Sequence, residues 1–178
     1  ELLRGSNSVV WGSRAIGGVL ALTSREMQGA EASVEYGSQD SVSAEALAGF
    51  GSDKANLTLS AGYASTDGIS AARSGRETDP YRQWRIGARA RADLGGGFSA
   101  SLAGRYADSR LDIDGFPAPL YAFADTAEYS TSREASGRAQ LGWQSSGLNL
   151  ATGFSITDNR RANYDPAFGS APAFDAKG

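Results

Sequence analysis

The chain has 178 residues, of which 23 are Gly, about 13 % against the usual ~7 %. It contains no Cys and no His, which excludes disulfides, zinc–thiolate and iron–sulfur centres, Cys nucleophiles and Ser-His-Asp chemistry, and leaves oxygen ligands for a hard cation such as calcium. With 17 basic against 20 acidic residues the net charge is −3, which argues against nucleic acid as a partner.

In chain order, residues 1–25 come first and show no strand-like alternation. They read as a Gly-rich loop, then an extended stretch over Val19–Thr23. Neither the Walker spacing nor G-x-G-x-x-G is present, so phosphate binding of that kind is excluded. The opening Glu1-Leu2-Leu3 has no Met and reads as the interior of a longer polypeptide. No run of about 18 apolar residues offers a transmembrane helix.

From Ala30 onward the signal is period 2, which puts apolar residues on one face of a strand and polar ones on the other. Ala30, Ala32, Val34 and Tyr36 alternate with Glu31, Ser33 and Glu35. The same alternation predicts seven antiparallel strands near 30–37, 42–50, 55–64, 82–94, 98–107, 134–143 and 148–157. No helical stripe competes, so the fold class is all-β. The connections alternate in length. Gly51–Lys54, Gly95–Gly97 and Gln144–Gly147 read as tight turns, whereas 65–82, 108–133 and the stretch from 158 read as long loops on the other end.

Short turns at one end and long loops at the other are the layout of an outer-membrane barrel. The residues carry that reading further. Leu57, Leu59, Ile86, Leu94, Leu102, Leu141, Leu148 and Leu150 belong to one face, expected toward lipid. Phe50, Phe98 and Trp143 at the short-turn end, with Tyr36, Tyr63, Trp84, Tyr106 and Phe154 at the other, frame that face as two aromatic girdles. Arg85, Arg89, Arg91, Arg105 and Arg138 fall on the opposite face, expected toward a wet lumen. An odd number of strands cannot close a bacterial barrel, and open edges do not stand in a bilayer, so the chain reads as part of a larger barrel.

The N-terminal motif carries a resemblance. Arg4-Gly5, Ser8, Gly12, Ala15-Ile16-Gly17-Gly18-Val19 and Thr23 resemble the end of the plug domain of TonB-dependent outer-membrane receptors, with Ser6, Trp11 and Ala21-Leu22 departing from the family pattern. The resemblance implies that residues 1–28 are the C-terminal end of a plug and its linker, with Arg4, Gly5, Gly12, Gly17 and Gly18 as the plug motif. Residues 29–178 would then be the N-terminal part of a barrel of about 22 strands, the plugged transporter size. It implies an outer-membrane location in a Gram-negative bacterium, energy from the TonB complex through an upstream segment, import of a nutrient, and no enzymatic activity. Within the family the loops resemble those of cobalamin receptors, which bind calcium through Asp-rich loops. Asp112, Asp114, Asp125 and Asp165 are the corresponding candidate calcium ligands, and Tyr121 and Tyr164 the candidate substrate-loop aromatics.

Three other readings compete. Ferric siderophores are alternative cargo for the same architecture. A plug-less porin has no use for the Ala15–Val19 motif, and a soluble β-sandwich needs no detergent. Asp112, Asp114 and Asp79 have the chemistry for acid–base pairing but no pocket-forming context in the sequence, Asp in loops is also ordinary turn chemistry, and Asn56-Leu57-Thr58 reads as strand residues rather than a sequon.

Overall fold

The computed structural model describes residues 2–4, 18–20, 27–72, 75 and 78–178. No helix occurs among them. Two short strands, β1 (Leu2–Arg4) and β2 (Gly18–Leu20), pair antiparallel, with Arg4 opposite Gly18. The expected extension of Val19 toward Thr23 is therefore seen through Leu20, while residues 21–26 lie outside the described residues, as do Gly5, Gly12 and Gly17.

The remaining strands form one open, eight-stranded antiparallel sheet in strict sequence order. They are β3 (Gly29–Gly37), β4 (Ser41–Ser52), β5 (Ala55–Thr66), β6 (Tyr81–Gly95), β7 (Phe98–Gly115), β8 (Ala124–Ser145), β9 (Leu148–Tyr164) and β10 (Pro172–Lys177). β3 and β10 are its edges. All seven predicted strands are present, and an eighth, β10, is added. The sequence hides β10 because it has no clean alternation and starts at Pro172. Pro is tolerated at the first residue of a strand, and this strand lies at the sheet edge.

Two of the expected long loops are corrected. β7 runs on to Gly115 and β8 begins at Ala124, so the stretch 108–133 is mostly strand and its loop is only 116–123. β9 likewise runs to Tyr164. Alternation of apolar with polar residues fades there because both faces become polar, but the backbone ladder continues through Arg110↔Thr131 and Thr131↔Ala162. Only the loop 67–80 keeps nearly its expected length.

The short turns match expectation. Gly96 and Gly97 have φ of 61° and 82°, the left-handed pair a two-residue primed hairpin turn requires. At the opposite end the β3–β4 turn is also tight, and its Gln39 carbonyl accepts Asp67 N at 2.9 Å, tying it to the start of the 67–80 loop.

Among the described residues only Met27 and Ala72 are buried hydrophobics, while Val34 is 74 % and Leu102 61 % exposed. Met27 is buried because the segment before β3 folds over one face of the sheet. Its carbonyl accepts Asn56 Nδ2 at 3.3 Å, and Gln28 Nε2 donates to the Gly51 carbonyl at 2.9 Å. Gly49 makes room for this crossing, since a Cβ there would fall on the Met27 carbonyl. We predict that Gly49→Ala destabilises the intact protein by about 1–3 kcal/mol, the usual cost of overpacking. Gly104→Ala, whose Cβ would meet only Ser136 O at 3.9 Å, should be nearly neutral. Urea unfolding midpoints of the two variants check this.

Candidate functional site

The site grows from the register. Residues directly opposite in neighbouring strands share a face, and the side-chain period is 2, so the pairing assigns every side chain. Phe50 faces Leu57, Leu57 faces Ala90, Ala90 faces Leu102, Leu102 faces Ala139, and Ala139 faces Phe154. One face is therefore apolar across β3 to β9. Arg89 lies between Thr58 and Ala103, and Arg138 between Ala103 and Ser155, on the opposite face. Arg85, Arg91 and Arg105 share that polar face. The expected separation of the Leu/Ile set from the Arg set is what the register gives.

Aromatic pairs close the apolar band at both ends. Phe98 and Trp143 meet at 6.2 Å between ring centroids beside the short turns, and Trp84 and Tyr106 at 5.1 Å toward the other end. Between them Gly104 faces Gly137, leaving a depression of about 630 Å³ among Leu59, Ile86, Tyr106 and Ile156. On the polar face Arg85 is bonded to Glu45, and Arg105 reaches Glu134 at 3.5 Å. Arg138 donates to Gln140 at 3.3 Å. Met27 and Gln28 also lie on this face, because Gly49, Gly51 and Asn56 belong to it. The chain thus approaches β3 from the side of the arginines.

At the long-loop end each candidate aspartate has its own surroundings. Asp112 lies within β7, where its carboxylate accepts Arg110 Nε at 2.7 Å and Nη2 at 3.3 Å. That hydrogen bond raises the Arg110 guanidinium further above its ordinary value. Asp114 accepts Ala72 N at 2.6 Å and Ser70 Oγ at 3.3 Å through one oxygen, and Thr126 N at 3.2 Å through the other. It pins the 67–80 loop onto the β7–β8 hairpin, with Asp79 accepting Ala71 N at 2.7 Å inside that loop. Asp125 lies in β8, near its start. Asp165 follows β9 and accepts Ala167 N at 3.0 Å, an Asx turn. Among the described residues no group of three or more acidic side chains is gathered into a cation site. Tyr121 sits in the 116–123 loop and is 71 % exposed. Tyr164 ends β9 opposite Tyr129, and their rings stack at 4.7 Å.

Sequence reasoning missed the charged ladder beyond the aromatic band. Arg133 Nε donates to Asp108 at 2.9 Å, Arg160 Nη2 to Asp158 at 3.1 Å, and Arg110 lies 3.9 Å over the Tyr129 ring. The hydrogen bond to Asp108 raises Arg133 above its ordinary value. The signal was available: Asp108-x-Arg110-x-Asp112 and Asp158-x-Arg160 keep the strand period in charges instead of in apolar residues.

A search of protein-family models finds none that matches the chain.

Removing the Asp114 carboxylate leaves two backbone N–H groups without their charged acceptor, and bonds of that kind are worth about 1.5–3 kcal/mol each. We predict that Asp114→Ala frees the 67–80 loop. Limited proteolysis of the intact protein should then cut within 67–80 in the variant, at protease levels that leave the wild type whole.

Proposed function

We propose that this chain is a wall segment of a transmembrane β-barrel and part of a TonB-dependent outer-membrane transporter. One observation carries the reading: an apolar face continuous across seven strands, framed by aromatics, with its large side chains exposed among the described residues. Leaving a Leu or Ile side chain in water instead of burying it costs about 1.5–3 kcal/mol, so a face carrying this many must be covered. A bilayer is the cover that fits. An Ala/Leu/Gly band with aromatic ends is what lipid and headgroups select, whereas a sandwich would present interdigitating bulky residues over strands of about 5–6 residues. The arginines would then line the lumen, and Met27 and Gln28 lie on that same face, the side on which a plug would belong.

The transporter reading draws on the Arg4–Thr23 motif, and the cargo we assign is a scarce nutrient of the cobalamin class, with a ferric chelate as the alternative. A calcium ion ordering the loops would compete with the internal donors that Asp112 and Asp114 already serve. Energy would come from the TonB complex acting through an upstream segment.

Two experiments test this. In cells making the full-length protein, uptake of labelled cobalamin or of a ferric chelate should disappear when the TonB complex is disrupted. Uptake that ignores the TonB complex would leave a passive barrel. For the wall, Leu102→Arg should cost about 2–4 kcal/mol, the penalty of Arg on a lipid face, and deplete the heat-modifiable barrel band in outer membranes. Ser101→Arg, one residue along on the other face, should leave that band unchanged. Equal effects of the two would sink the barrel reading.

A further inference from the structure

We propose that the polar face carries, at its long-loop end, a subsite that reads a primary carboxamide on the cargo, built from Asn163, Ser130 and Arg161. The inference rests on the transporter reading above and selects within it: a cargo edged with carboxamides over an anionic ferric chelate.

Two singular features of the sheet fall on one register pair. Among the described residues, Ser130 is the one buried polar residue, 6 % exposed. Among them too, Asn163 Oδ1 is the one side-chain atom out of water with no hydrogen-bond partner. Ser130 and Asn163 stand directly opposite each other on β8 and β9. Both belong to the face of Arg105 and Arg138, which the proposed barrel would turn toward its lumen. Elsewhere that face is wet, with the side chains of Arg105 and Glu134 72 % and 50 % exposed. A dry amide oxygen without a donor costs folding free energy and returns none. A cargo group that donates to it recovers that cost on binding.

The surroundings select the group. Tyr81, Leu111 and Phe174 share the row of Ser130 and Asn163, so the polar pair has apolar neighbours on both sides. Leu111 is 38 % and Phe174 54 % exposed, which leaves them open to an incoming molecule. Two residues nearer the aromatic band, the row on this face is Gln83, Ser109, Ser132 and Arg161. Arg161 leans out of it, because its Nε donates to Ser130 Oγ at 3.4 Å. That bond carries the guanidinium toward the row of Asn163 and uses one of its five donors. Asn163 Oδ1 thus supplies an acceptor, while Arg161 and Asn163 Nδ2 supply donors. Their complement is a flat neutral group with an N–H donor beside a C=O acceptor, which is a primary carboxamide. A hydroxamate or catecholate chelate turns anionic oxygens outward. Those suit Arg161 but leave Asn163 Oδ1 unpaired, and a bare cation would be repelled by the guanidinium.

The test measures equilibrium binding to the full-length protein in detergent. The probes are labelled cobalamin and its derivatives in which one carboxamide is hydrolysed to the acid. We expect Asn163→Leu and Arg161→Gln each to bind cobalamin about tenfold more weakly, the worth of one or two such hydrogen bonds. The wild type should bind one of the mono-acid derivatives about tenfold more weakly than cobalamin, and Asn163→Leu should bind that derivative and cobalamin alike. A merely structural Asn163 would leave the wild-type discrimination intact in the variant, which would overturn the proposal. Asn149→Leu, on the same face at the short-turn end, should bind like the wild type. If Asn163→Leu gives no heat-modifiable barrel band, Arg161→Gln, at an exposed position, decides. Equal cobalamin affinity of the wild type and both variants would overturn the subsite, mark Asn163 Oδ1 as a place for a buried water, and leave the transporter standing. A wild type that binds a ferric hydroxamate and not cobalamin would overturn the carboxamide assignment and select the alternative cargo. Binding of neither, with uptake indifferent to the TonB complex, would overturn the transporter reading and this subsite with it.

Discussion

The whole arrangement depends on the backbone ladder. Among the described residues almost nothing is buried, so each strand is positioned by its hydrogen bonds to the next. The pairing runs from Gly29 on β3 to Lys177 on β10, with only isolated shifts near Asp93, Ile113 and Pro172. Because side chains alternate, a slip of one residue anywhere would exchange faces for every strand after it. Leu102, Leu141 and Leu150 would then take the places of Ser101, Gln140 and Asn149. In hydrocarbon the ladder is also obligatory, since an unpaired peptide group there costs several kcal/mol. The proposed location and the observed geometry thus make the same demand of the sequence.

That demand explains what could be read directly. Where one face must be apolar and the other polar, as along Trp84–Leu94 or Phe98–Tyr106, each residue reports its side of the sheet, and strands, turns and faces follow from the alternation. The turns were equally plain. Gly96 and Gly97 both take left-handed φ, which few other residues adopt. The departures begin where that asymmetry ends. Past Tyr106 both faces meet polar surroundings, so Ser109, Arg110, Thr131 and Ser132 look like loop while the ladder runs on beneath them. β10 was hidden for a related reason, being short, at the edge and begun by Pro172.

The aspartates show what loop placement alone leaves out. Loops expected around Asp112, Asp114, Asp125 and Asp165 group the four in the sequence. In the fold Asp112 is a strand residue paired along its own strand, Asp114 is the acceptor that fastens the 67–80 loop, and Asp165 shapes a turn. Strand spacing of two residues put Asp112 beside Arg110, a relation no loop would have guaranteed. The Arg4–Gly18 pairing of β1 and β2 went the other way, bringing together two motif residues that the sequence keeps apart.

The strands are unequal, and this has a consequence for access. β3 has 9 residues and β8 has 22, so at ~3.4 Å per residue the sheet rises from about 30 Å to about 75 Å within six strands. The short turns are level along one margin, and the difference therefore accumulates at the other. In the proposed barrel this stretch of wall would be tall beside β7–β9 and low above the Ser38–Asp40 hairpin. On that reading, cargo arriving along the tall strands would meet a backboard and the low side would be a sill. The tall strands would then stop lateral escape before any loop had to move.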